Sequence, residues 1–189
     1  MQIKTKCASG LKLTILGSGT YQPELKRHPS SYLVQIGKQN LVFDFGRGVI
    51  DQLLKIGITY ADIDAIFITH FHPDHFGEFI SFLHIALFEP AKGKSRKKDL
   101  IIYGPKGLKK NIELLFKIFF SYLRIPKTNL KYQVIELSNN IVVKNKNWLV
   151  KAMSVKHPPV KKALAYYLMV DDKVLALSLI HISEPTRPL

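Results

Sequence analysis

The stretch Thr69-His70-Phe71-His72-Pro73-Asp74-His75-Phe76-Gly77-Glu78 decides how this chain is read. It sets three histidines and an aspartate within six residues. Imidazole nitrogen and carboxylate oxygen are the common ligands of zinc-like ions. The run before it, Ala65–Thr69, is short and apolar and reads as a buried strand that delivers the chain to His70. His70 and His72 are two apart, so an extended turn bends both toward one centre. Asp74 and His75 are adjacent and reach a second centre close by. Pro73 stiffens the turn between the pairs, and Gly77 lets the backbone pass tightly before the next helix. Two metal centres about 3.5–4 Å apart would share an acidified water, the nucleophile that a hydrolase needs. A lone histidine is usually a core or surface residue, but four ligand-type side chains at this spacing are poorly explained that way. His84, on the following helix, reads as helix surface or packing.

Working outward, Leu11–Leu16 reads as a strand that runs into the polar turn Gly17-Ser18-Gly19-Thr20, with a loop from Pro23 to Pro29. Ser31–Ile36 and Asn40–Phe45 read as a hairpin turning at Gly37-Lys38-Gln39. Val49–Ile56 has helical spacing, with Gly57 as its stop. Beyond the motif, Glu78–Phe88 reads as a helix, Pro90–Asp99 as a basic loop and Leu100–Tyr103 as a strand. Gly104-Pro105-Lys106-Gly107 turns into a helix reaching Tyr122, whose Phe116, Phe119, Phe120 and Tyr122 read as a core stripe. Tyr132–Leu137, Ile141–Val143, Trp148–Val155, Leu164–Val170 and Lys173–Leu177 read as further strands. Strands and helices in this order give an α+β chain with sheet packed against helix.

At 189 residues and 47% hydrophobic content, the chain supports a single domain with its own core. One cysteine, Cys7, excludes an internal disulfide and a thiolate metal cluster. No apolar run is long enough to span a membrane and no signal peptide opens the chain, so a cytoplasmic protein with no membrane partner is expected. The net charge of +14 is uneven. Residues 1–90 are neutral, whereas 91–162 hold eighteen basic and three acidic side chains, a net +15. Such a block suits a polyanion such as nucleic acid. Lysines outnumber arginines 23 to 5, so a solvated lysine face accounts for it equally well.

The His-x-His-x-Asp-His signature after a strand resembles that of the metallo-β-lactamase fold, an αββα sandwich. Leu16-Gly17-Ser18-Gly19-Thr20, Ser30-Ser31-Tyr32-Leu33-Val34 and Phe43-Asp44-Phe45-Gly46 resemble the opening of ribonuclease Z-like members. Ile102-Tyr103-Gly104-Pro105-Lys106-Gly107 resembles their next strand and turn, and Val155-Lys156-His157 the segment with a third histidine ligand. The resemblance covers about residues 11–176. It implies that His70, His72 and His157 hold one divalent metal ion and Asp74 and His75 a second, with zinc expected and manganese or iron as alternatives. It implies Asp74 as catalytic proton acceptor. Asp44 would be a carboxylate that orients the ligand loop, although a strand-end aspartate capping a turn fits nearly as well. The function it implies is a metal-dependent phosphodiesterase or endoribonuclease resembling ribonuclease Z, with RNA or tRNA as substrate in tRNA 3′ processing. Hydrolysis of a small phosphoester, ester, thioester or lactone is the alternative. Dimers are common among similar enzymes, and a homodimer stays open.

The chain also departs from that pattern. Pro73 stands where ribonuclease Z usually has glycine, and its tRNA-gripping arm is not visible. A bridging aspartate in a Ser-Gly-Asp motif is expected just after Ala176, and a final histidine much later. Instead, Leu177 to Arg187 reads as the translation of a transposase adapter used in sequencing libraries, matched at all eleven codons in one frame. The expectation is therefore a truncated domain at 1–176, the N-terminal portion of the fold only, with a non-native tail at 177–189 that gives His181 no ligand role. An inactive fragment is the third functional alternative.

Overall fold

The computed structural model describes residues 10–88, 98–121 and 131–177. Among these described residues, ten strands form two sheets. The first holds β1 (Leu11–Gly17), β2 (Ser31–Ile36), β3 (Gln39–Phe43), β4 (Ala65–Phe67), β5 (Leu100–Pro105) and β6 (Tyr132–Leu137), side by side in chain order. Its first three strands pair antiparallel and the rest parallel. The second is an antiparallel sheet of β7 (Val142–Lys144), β8 (Leu149–His157), β9 (Val160–Val170) and β10 (Lys173–Leu177), ordered β10-β9-β8-β7. Helices α1 (Val49–Lys55), α2 (Pro73–Phe76), α3 (Phe79–Phe88) and α4 (Leu108–Phe119) complete the described elements, with a 3-10 turn at Tyr60–Asp62.

Side-chain alternation along the central strands builds two cores. Leu33, Val42, Ile66, Ile68 and Ile102 face the helices and pack with Phe79, Phe82, Leu83 and Ile112. Val34, Leu41, Phe43, Phe67 and Tyr103 face the second sheet and meet Trp148, Val150, Tyr166 and Leu168. Successive residues of a strand point to opposite faces, so strands covered on both sides read as continuous apolar runs. Phe67 anchors the inter-sheet core, stacked on Phe43 at 4.7 Å and on Tyr103 at 4.6 Å, with Tyr166 edge-on at 5.4 Å. Full burial of such a ring stabilises by about 2–3 kcal/mol. The layers run helix, sheet, sheet, which is the α, β, β part of the expected four-layer sandwich. No second outer helical layer occurs among the described residues.

Several boundaries differ from expectation for local reasons. The β3 strand ends at Phe43 because Asp44 takes a left-handed conformation, φ 59°. The β8 and β9 strands extend past their apolar runs to His157 and from Val160, since antiparallel pairing carries Lys156, Lys161 and Lys162 along at the hairpin end. Pro73 begins a one-turn helix rather than only stiffening a turn. The aromatic stripe on α4 is only partly core: Phe120 is buried and Phe116 packs against the core, but Phe119 is 47% exposed. Most of the basic loop at 90–99, Tyr122 and the tail beyond Leu177 fall outside the described residues. No helix among the described residues is long and apolar enough to cross a membrane.

Candidate metal centre

The parallel strands β3 and β4 end side by side, and their exits build the site. Asp44 N–H donates to the Phe67 carbonyl at 2.8 Å, which sets Asp44 beside Thr69. The Asp44 carboxylate is fully buried and accepts three donors. Thr69 N–H donates to Oδ1 at 2.7 Å, Thr69 Oγ1 to Oδ2 at 2.8 Å, and His75 Nδ1 lies 2.7 Å from Oδ2. Burial lifts the Asp44 carboxyl above its usual range, even though His75 and Thr69 pull it down. Burial alone would lower the His75 pKa, but the Asp44 hydrogen bond and the Asp44 and Asp74 charges outweigh it and raise it. A turn-capping role does not describe Asp44: it ties strand end, Thr69 and His75 into one unit.

The proton count around Thr69 fixes a histidine tautomer. Its single hydroxyl proton goes to Asp44, and Oγ1 lies 3.0 Å from His70 Nδ1. The hydroxyl oxygen therefore accepts from His70 Nδ1–H, and Nε2 is left as the lone-pair nitrogen. His75 follows the same logic. Its Nδ1–H faces Asp44, and its Nε2 meets Asp74 Oδ2 at 3.3 Å. A lone pair and a carboxylate oxygen aimed at each other are reconciled by a proton on Nε2 or by a cation between them.

His157 arrives from the other sheet, at the end of β8. The sheets are joined here by the β9 contact Leu164 N–H to the Thr69 carbonyl at 3.0 Å, and by Tyr166 O–H donating to the Ile68 carbonyl at 2.6 Å. These bonds bring the β8–β9 hairpin against the motif loop. One ligand atom from each of His70, His72 and His157 lies within 4.8 Å of the others. The His70 ring centroid is 4.6 Å from His72, 4.7 Å from His157 and 4.1 Å from His75. Three imidazoles converging at a largely buried point, with at least one tautomer set by a hydroxyl, is a donor set that fits a divalent ion of the zinc type. Asp74 and His75 adjoin it as a second, smaller donor pair.

The sequence and the architecture both match known proteins. Residues 11–180 match the family model described as anti-Pycsar protein Apyc1. The chain belongs to the Apyc1 family. Within that family frame it is also similar to ribonuclease Z. It is 34% identical over 166 residues to ribonuclease Z of Methanosarcina mazei, covering 86% of this chain and 50% of that protein. It is 32% identical over 163 residues to ribonuclease Z of Myxococcus xanthus, covering 86% and 49%. The chain thus spans about half the length of the curated relatives it matches. Among solved structures, human tRNase Z short form superposes with a TM-score of 0.71 at 23% identity, covering 88% of this chain and 68% of that one. The metallo-β-lactamase fold protein YhfI from Bacillus subtilis gives 0.69 at 19% identity, with 88% and 61% coverage. The fold is therefore the metallo-β-lactamase fold, as the motif implied.

The structure places every ligand candidate from the sequence at one locus: His70, His72 and His157 together, Asp74 and His75 beside them. His84 is exposed on α3, with its ring 5.8 Å from Phe120, and has no place there. Sequence reasoning gave no role to Thr69 or Tyr166, and met Gly46 only as the last residue of Phe43-Asp44-Phe45-Gly46. Gly46 packs so closely under the Asp74 carbonyl that an added Cβ would collide with it. Its one signal was a glycine two residues past Asp44.

Proposed function

We propose that this protein of the Apyc1 family is a metal-dependent phosphodiester hydrolase, with ions held by His70, His72 and His157 and by Asp74 and His75. The observation that carries the reading is the convergence of three imidazoles from two sheets within 4.8 Å. Two divalent ions, zinc first and manganese or iron as alternatives, would supply Lewis acidity and an acidified water there. The chain's own residues do the rest. Thr69 and Asp44 orient His70 and His75. Asp74, largely buried beside His75, would take up a proton released during attack on phosphorus. The exposed Lys156, Lys161 and Lys162 flank His157 on the β8–β9 hairpin. Lys106 and Lys109 sit at the start of α4, where Gly107 approaches Phe71 of the motif. Cations on both sides of the site favour an anionic substrate.

Ribonuclease Z relatives support RNA, and tRNA in particular, as that substrate. A small phosphodiester is the alternative substrate, to be reached between the motif loop and the tightly turned β8–β9 hairpin at Pro158-Pro159. The test loads the purified chain with zinc or manganese. It is then offered a tRNA precursor, unstructured RNA, a cyclic mononucleotide, a thioester and a lactone. Hydrolysis confined to phosphodiesters supports the proposal. Cleavage of the thioester or lactone alone refutes it, and metal uptake without any turnover identifies an inactive, binding-only chain. RNA binding that falls steeply with salt would favour the polyanion; a flat salt response would exclude it.

A further inference from the structure

Glu78 closes the motif stretch but belongs to neither donor group. Its side chain reaches the start of α1. There Oε2 accepts from Ile50 N–H at 3.0 Å, while Val49 N–H donates to the Gly46 carbonyl at 3.3 Å. The first turn of α1 has no cap from its own N-cap residue, since Gly48, which has no side chain, offers none. The main chain doubles the connection. Glu78 N–H donates to the Phe45 carbonyl at 3.0 Å, and Phe45 N–H donates to the His75 carbonyl at 2.7 Å. Residues 45–50 and 73–78 are thus fastened by one carboxylate and two backbone bonds, with Gly46 pressed under Asp74.

This fastening has work to do, because α2 cannot hold itself. It has four residues, and its N-cap His72 makes no side-chain cap bond. A single turn fixes several dihedrals for very few hydrogen bonds and is unstable alone. The opposite end is held in part by packing, through buried Phe45, Val49 and Leu53. It also borders open space: Phe45, Ile50, Leu53 and Phe82 help line an apolar cavity of about 230 Å³ alongside α1. Without the carboxylate, the first turn of α1 has room to shift, and the loop bearing Asp74 and His75 shifts with it.

We infer that Glu78 is a positioning residue for the metal centre, a latch that holds the ligand-bearing turn against α1. The inference rests on the metal reading above, and the test separates the two. The 189-residue chain is stripped of metal and titrated with Zn2+ by calorimetry and with Co2+ by visible absorption. Thermal unfolding of the metal-free protein is followed in parallel. Glu78→Ala is expected to weaken metal binding about tenfold or more and to alter the Co2+ spectrum. Glu78→Gln, whose amide oxygen still accepts from Ile50 N–H, should stay within about threefold of the parent by the same scale. Should the alanine variant not fold, Glu78→Asp withdraws the carboxylate by one methylene and reads the same contact, with a loss between the two. A variant that lowers only the melting temperature, with affinity and spectrum unchanged, makes Glu78 a helix cap and overturns the inference. His157→Ala is the control: if the parent takes up no metal, or His157→Ala binds it equally well, the metal reading fails and the latch with it.

Discussion

The two donor groups are held in place by opposite means. His70, His72 and His157 come from two sheets and meet because β9 bonds to the end of β4 through Leu164 and Tyr166. Asp74 and His75 come from one helical turn and meet because they are neighbours, yet that turn needs Asp44 on its side chain and Phe45 on its backbone. The long-range group inherits its rigidity from two packed cores. The local group has short-range proximity without intrinsic rigidity, so it depends on individual braces. Removing a ligand should therefore damage the first group most, and removing a brace the second.

The largest effect is expected at His157. His157→Ala deletes the only donor of the three-histidine group that comes from the second sheet. It should weaken the first equivalent of zinc about a thousandfold, or about 4 kcal/mol, beyond the tenfold to hundredfold loss typical of an outer partner. Stability of the metal-free chain should hardly change, because His157 lies half-buried at a hairpin end. Calorimetric titration checks the affinity, and thermal unfolding of the metal-free chain checks the stability. A tight first equivalent surviving in the variant would move the strong site to Asp74 and His75 and reverse the comparison.

Asp44→Asn attacks the brace. Asparagine tolerates the left-handed φ of 59° that this position demands, so the substitution isolates the charge. It leaves Thr69 and His75 short of an anionic acceptor in a buried place, which typically costs about 3 kcal/mol. Urea unfolding should show that loss, with zinc affinity falling about tenfold to a hundredfold. A stability loss with unaltered metal binding would show that His75 needs no orientation by Asp44.

These unequal dependences explain what could be read from the chain alone. The motif was legible because its donors are local and its spacing is itself the geometry. Strand positions were legible because strands covered on both faces spell continuous apolar runs, as in Leu41–Phe43 and Ala65–Phe67. His157 was reached only through resemblance, since nothing near it in sequence distinguishes a ligand from a hairpin residue. Thr69, Tyr166 and Glu78 escaped for the same reason. Each acts through a partner distant in the chain, and a threonine, a core tyrosine or a loop glutamate carries no local mark of such a bond. The exposure of Phe119 was hidden because helical spacing reports a stripe but not where its covering neighbours stop.

Tyr166→Phe sharpens the long-range half at lower cost. It keeps the ring edge-on to Phe67 in the inter-sheet core and deletes only the hydrogen bond to the Ile68 carbonyl. A buried acceptor losing its donor costs about 1–2 kcal/mol. Zinc affinity should fall less than for Asp44→Asn, because Leu164 still ties β9 to Thr69. An affinity loss as large as that of His157→Ala would mean that one hydroxyl, rather than the packed cores, sets the approach of the two sheets.

The smallest effect concerns the charge on Glu78. Burial raises its carboxyl above the ordinary range; the Ile50 and Val49 amides pull it back, the Asp51 charge adds to the rise, and the Gly48 amide opposes it, with burial prevailing. A group whose pKa is higher folded than unfolded binds its proton more tightly in the folded state. Its contribution then favours folding most below the unfolded value near 4.5 and declines as pH rises through the folded one. Compared with Glu78→Gln, the metal-free parent should lose melting temperature as pH climbs from 4 through that window and run parallel to it above. The half-exposed position keeps the difference small. A parent that instead gains on the glutamine variant with rising pH would mean the α1 amides outweigh burial, making the latch a net stabilising charge and the local group better braced than its four-residue turn suggests.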